Sequence, residues 1–141
     1  MSVFASVRGE RWHPDVDAVG SLDAVTIDCA DPLELARFWG AMFGTRIDST
    51  LGDPPHYVDL RSGPSVPVLR FQRVPDEKIT KNRLHLDMLV ENLDQACANV
   101  EALGGRRAPG KPFTEYGWSW IVMLDPEGNE FCLGHSSSGE V

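Results

Sequence analysis

Apolar and polar positions alternate along residues 24–29, so that Val25, Ile27 and Cys29 share one face of an extended chain and Ala24, Thr26 and Asp28 the other. The period then changes. Leu35, Phe38, Trp39 and Met42 fall on one helical stripe. Asp31 is placed to cap that helix, Pro32 suits its first turn, Glu34 is placed as a capping-box acid, and Gly44 closes it. Residues 46–48, 57–61 and 66–72 read as three further strands separated by Gly- and Pro-bearing turns. After a polar connector at Asp76-Glu77-Lys78 the order begins again with a strand over 83–90. Asn92 caps a second helix, with Gln95 at its third position and a stripe of Leu93, Ala96, Cys97, Val100 and Leu103, ending at Gly104-Gly105. The chain closes with a hairpin: strand formers at 118–124 and 130–134 flank Asp125-Pro126-Glu127-Gly128-Asn129, where Pro126 presets φ and Gly128 supplies a positive one.

The two capped helices are offset by a constant spacing. Asp31 and Asn92 lie 61 positions apart, and Gly44 and Gly104 lie 60 apart. The chain therefore reads as two copies of one βαβββ unit in an α+β domain. The expected layout is an arm over 1–20, a single domain over 21–136 (module one 21–75, module two 82–136) and a tail over 137–141. The repeat, the closing turn and Leu84-His85-Leu86-Asp87 together resemble the glyoxalase-like domains of the vicinal-oxygen-chelate superfamily. That resemblance implies two paired modules whose curved sheets enclose a concave cavity with the helices outside. It also implies a homodimer, since many relatives pair.

Strand alternation divides the side chains between the helix face and the cavity face. With Val25, Ile27, Cys29, Leu69, Phe71, Leu84, Leu86, Met88, Phe131 and Leu133 packed under the helices, the cavity receives Ala24, Thr26, Asp28, Val68, Arg70, Gln72, His85, Asp87, Leu89, Glu130 and Cys132. Turning Ile121 and Met123 outward brings Trp118 and Trp120 inward, giving a cleft with aromatic walls and a few charged groups.

Metal-dependent members of the superfamily take ligands from four inward strand positions, typically His or Gln, Glu, His and Glu. By the resemblance these fall here on Ala24, on Arg70 or Gln72, on His85 and on Cys132. An Ala and an Arg remove too many donors, so no metal and no cofactor are expected. His85 and Cys132 would hold zinc only with help from Asp28, Asp87 or Glu130.

Composition narrows the partner. Twenty-one acidic against thirteen basic side chains give a net charge of -8 over 141 residues, with the basic residues scattered, which serves neither a nucleic-acid groove nor an anionic membrane. A small molecule is the expected partner. Three cysteines with no CxxC pair suggest neither a disulfide framework nor a zinc knuckle, and fit reduced thiols in the cytoplasm. No stretch approaches the roughly 20 apolar residues of a membrane span.

The expected ligand contacts are Asp28, Tyr57, Arg70, Gln72, His85, Trp118, Trp120, Glu130 and Cys132, and the candidate catalytic pair is His85 with Asp87. Imidazole serves as acid, base or donor near neutral pH. Asp87 either orients that ring or pairs with Arg70. Cys132 is either a nucleophile or a small buried thiol, and the tryptophans either stack on a ligand or fill core. Three functions follow: a metal-free protein that binds an aromatic or amphipathic ligand, a metal-free isomerase or lyase, and a metal-dependent lyase or dioxygenase with non-standard ligands.

Overall fold

A computed structural model describes residues 19–64 and 66–136. The tail, and the arm up to residue 18 with Trp12 and Val16, lie outside the described residues. Module one consists of β1 (Ala24–Cys29), α1 (Pro32–Phe43), β2 (Ile47–Leu51), β3 (Tyr57–Leu60) and β4 (Val68–Arg73). Module two consists of β5 (Asp87–Leu89), α2 (Leu93–Ala102), β6 (Arg106–Arg107), β7 (Phe113–Glu115), β8 (Trp118–Leu124) and β9 (Glu130–Ser136). The sheets run β1-β4-β3-β2 and β5-β9-β8-β6, with β7 added beside β8. In each, the first strand lies parallel to the last and the remaining pairs are antiparallel, so the spacing repeat is also a topological one.

The local signals act as their chemistry requires. Asp31 Oδ1 accepts from the Glu34 amide and Asn92 Oδ1 from the Gln95 amide, each satisfying an otherwise unpaired helical N–H. Gly44 adopts φ 66°, the left-handed cap that a side chain would disfavour. Tyr116 and Gly117 both have positive φ, 50° and 79°, between Glu115 and its partner Trp118. They form a two-residue turn whose twist matches the strands it joins. The strand β7 that this turn creates is absent from the sequence expectation.

Several boundaries move, β9 among them, which runs on to Ser136. β4 starts at Val68 rather than at residue 66, the strand expected over 83–90 pairs only from Asp87 to Leu89, and β2 runs on to Leu51. Two residues assigned to packing are in solvent: Leu84 is 67% exposed, in the unpaired stretch before β5, and Leu103 is 42% exposed, at the cap of α2.

One apolar cluster spans both modules. Leu35, Phe38 and Trp39 of α1 meet Val58, Leu60 and Phe71 of the first sheet, while Cys97 and Val100 of α2 meet Ile121, Met123 and Leu133 of the second. Phe131 joins the halves, with its ring 4.8 Å from that of Trp39 and 6.2 Å from that of Phe38. Such a shared core resists separation, because each half alone would leave these rings in water.

Candidate functional site

The concave faces are built from the strand positions that point away from the helices. On the first sheet the register sets Thr26 beside Arg70, Asp28 beside Gln72, and Asp59 and Tyr57 beside those on the next strand. On the second, Asp87 lies beside Cys132, and Trp120 and Leu89 flank Gly134.

Between the modules lies a cavity of about 590 Å³. Its walls come from β1, from the connector at Val74–Asn82, from the approach to β5 and from the start of β9; Asp28, His85 and Glu130 are among its lining residues. Tyr57 and Arg70 instead line a recess of about 340 Å³ with Ser49, Leu51 and Asp59. Gln72, Trp118, Trp120, Asp87 and Cys132 line neither of these two spaces. The tryptophans stack on each other with centroids 5.7 Å apart; Trp118 is 6% exposed, and the Trp120 ring lies so close over Gly134 that a Cβ there would sit 2.4 Å from it.

The charged residues are largely paired. Arg70 grips Asp59 with two hydrogen bonds, Nε to Oδ1 at 2.8 Å and Nη2 to Oδ2 at 2.9 Å, and this hydrogen bonding raises the guanidinium's pKa further. Asp87 therefore takes its partner from the stretch just before its strand: its Oδ1 lies 3.0 Å from His85 Nδ1, and the alternative pair with Arg70 does not form. Glu130 accepts from the Asn82 amide at 2.8 Å and from Lys78 Nζ at 3.2 Å. Burial opposes its charged form, but the amide bonds and Lys78 outweigh that and hold its carboxyl below the usual range.

Cys132 is 9% exposed, and its thiol is pushed upward by burial, then by the charge of Asp87 and a hydrogen bond to it, against a smaller opposing effect of Lys81. A neighbouring carboxylate disfavours thiolate, which removes the means of activation that a free nucleophile would need. The imidazole nitrogen, the Asp87 carboxylate and the Cys132 sulfur nevertheless lie within 4.8 Å of one another.

The superfamily's four-ligand metal centre does not fit these residues. Ala24 has no donor, and Arg70 is a cation already engaged by Asp59. Of that set, His85 and Cys132 remain on module two, and Gln72, the alternative to Arg70, remains on module one beside Asp28.

Four contributors, in two segments, went unrecognised in the sequence. The connector residues Lys78 and Asn82 wall the cavity and hold Glu130, and a polar loop carries no pattern that would announce this. Asp125 and Glu127, read as turn residues only, also tie the modules together. Asp125 accepts from Trp39, and Glu127 accepts from the amides of Ala30 and Asp31 at 2.6 and 3.0 Å.

Comparison with known proteins agrees with this architecture. A family profile described as a glyoxalase-like domain matches residues 24–134. A glyoxalase/bleomycin resistance protein/dioxygenase family enzyme from Burkholderia phytofirmans PsJN superposes with a TM-score of 0.66 at 20% identity, over 83% of this chain and 99% of that one. A glyoxalase/bleomycin resistance protein/dioxygenase from Nocardioides gives 0.65 at 13% identity, over 89% of each chain. A glyoxalase-related enzyme from Fulvimarina pelagi gives 0.62 at 16%, over 82% of this chain and 88% of that one. No curated protein sequence matches the chain. The duplicated βαβββ fold, the closing hairpin and the profile match converge on one assignment: the chain belongs to the glyoxalase-like domain family of the vicinal-oxygen-chelate superfamily.

Proposed function

We propose that the protein binds a small aromatic or amphipathic molecule between its two modules, without the four-ligand metal centre of its metal-dependent relatives. The observation that carries this reading is the inter-module cavity. Its volume of about 590 Å³ suits a metabolite- or drug-sized ligand, and its wall alternates apolar Leu22, Val25 and Leu86 with polar Asp28, Asn82 and His85. With Glu130 neutralised by Lys78, the remaining carboxylates of Asp28, Asp76, Glu77 and Glu127 favour a neutral or cationic ligand. Tyr57, Arg70, Gln72, Cys132 and the Trp118–Trp120 stack then serve as outlying contacts for a ligand that extends along the concave faces. Pairing into homodimers and a cytoplasmic setting for the three free thiols complete the proposal.

A second reading rests on the His85–Asp87 hydrogen bond. An imidazole oriented by a carboxylate is equipped to abstract a proton, which would make the protein an isomerase or lyase. The oxyanion role expected of Arg70 has less support, since Asp59 holds its guanidinium.

The test is a thermal-shift and tryptophan-emission screen of chelator-treated protein against aromatic and cationic amphipathic compounds. Trp39 lines the cavity and reports occupancy. Thr26→Trp should fill the cavity and remove the response of any hit while the protein stays folded. A hit whose response survives Thr26→Trp would overturn the assigned location, and a turnover lost in His85→Ala with binding retained would decide for the enzyme.

A further inference from the structure

We infer that His85, Asp87 and Cys132 form a three-donor site for a thiophilic divalent cation, zinc(II) above all, lying wholly on module two. The superfamily's metal centre draws ligands from both modules. Here module one contributes none, and Asp87, outside the superfamily's ligand positions, supplies the third donor.

The geometry needs little adjustment. Tetrahedral zinc with bonds of about 2.0 Å to N or O and 2.3 Å to S sets its donors roughly 3.3–3.5 Å apart. His85 Nδ1 and Asp87 Oδ1 are already 3.0 Å apart, and all three donor atoms fall within 4.8 Å of one another. The fold holds the set together, because Asp87 and Cys132 are register partners on adjacent parallel strands and His85, two residues before Asp87, is hydrogen-bonded to it.

Donor chemistry selects the ion. One imidazole, one carboxylate and one thiolate make a mixed N, O, S set that suits zinc and is poorly matched to magnesium or calcium, which seek oxygen. A thiolate and a carboxylate also neutralise a 2+ charge. Coordination replaces the S–H bond of Cys132 by a sulfur–metal bond and releases one proton to solvent, with no change of oxidation state. Three protein ligands leave the fourth position open, and one of them, His85, lies on the cavity wall.

Cobalt(II) is the probe, because a cobalt–thiolate bond announces itself by charge-transfer absorption. Titration of the untagged full chain should give one equivalent bound with that absorption, displaced by zinc but not by magnesium. Cys29 and Cys97, at 3% and 1% exposure, are buried in the core and act as internal controls. Cys132→Ser should abolish the charge-transfer band. Asp87→Asn, at a half-exposed position where folding is not at risk, should weaken binding by at least the 10–100-fold that loss of even an outer-sphere partner costs. No charge-transfer band in the wild-type protein, a band that survives Cys132→Ser, or an affinity unmoved by Asp87→Asn would each overturn the site. Ligand binding in the chelator-treated protein is measured separately, so failure here leaves the cavity reading standing.

Discussion

The indole N–H of Trp39 donates to Oδ2 of Asp125 at 3.1 Å, across 86 positions of sequence and at full burial on both sides. The same carboxylate accepts from the amides of Glu127 and Asn129 and from the Asn129 side chain, at 2.9–3.0 Å. One residue thus shapes the closing turn of module two and anchors the helix of module one.

Replacing Asp125 by Ala strands several donors at once: the buried indole N–H and the half-buried amides of Glu127 and Asn129. Each buried unsatisfied group costs about 1–3 kcal/mol, so Asp125→Ala should lower stability by about 3 kcal/mol or more. Urea unfolding at an unchanged m value would show this as a shifted midpoint. A loss under about 1 kcal/mol would mean that water replaces the carboxylate without penalty.

Gly134 is constrained by its neighbour rather than by its backbone. In Gly134→Ala the new methyl would meet the Trp120 ring at 2.4 Å, forcing the ring off the sheet or the strands apart, for about 1–3 kcal/mol. Because Trp120 stacks on Trp118, the near-ultraviolet circular dichroism of the pair should change as well. An unchanged spectrum would show that the stack does not depend on the bare backbone at 134.

Glu130 should give an acid-side pH dependence. Its carboxyl is held low in the folded protein, so its stabilisation is complete above the unfolded-state pKa and is lost as pH falls through the folded-state value. Stability measured from about pH 7 down to pH 3 should show wild type exceeding Glu130→Gln by about 1–2 kcal/mol at the neutral end, the difference closing at the acid end. Parallel curves would show that Lys78 and Asn82 gain nothing from the charge.

The thiols should be slow toward alkylation in the native state. Burial and then Glu127 push Cys29 up to about 12, and burial also raises Cys97 and Cys132. Iodoacetamide at about pH 8 followed by mass spectrometry should leave Cys29 and Cys97 unmodified until denaturant is added, with Cys132 the first to react because it is the least buried of the three. Rapid native labelling of Cys29 would contradict its packing.

Much of the fold was legible because its signals are local. Asp31 and Asn92 announce their helices through chemistry completed within three residues, and the alternation at 118–124 and 130–134 specifies a hairpin whatever surrounds it. Period two also placed His85, Asp87 and Cys132 on one face. The partners of those side chains were not legible, because they come from other strands. Nothing local distinguishes Asp59 from Asp87 as the mate of Arg70; the β3–β4 register decides it. Part of the cavity wall escaped because it is the polar connector, whose residues carry no periodicity. β7 was missed because Phe113-Thr114-Glu115 is short and exposed, although the Tyr116-Gly117 pair that reverses the chain was a readable signal.

The connector from Pro75 to Lys81 is exposed throughout, while the modules that it links share Phe131, Trp39 and Glu127 at their seam. A backbone break at Thr80 would therefore remove no core contact, and the two fragments carry matching surfaces that only each other can satisfy. Fragment complementation, in which two separately produced halves reconstitute one domain, follows from this division. So does its intermolecular counterpart, in which module one of one chain closes on module two of another.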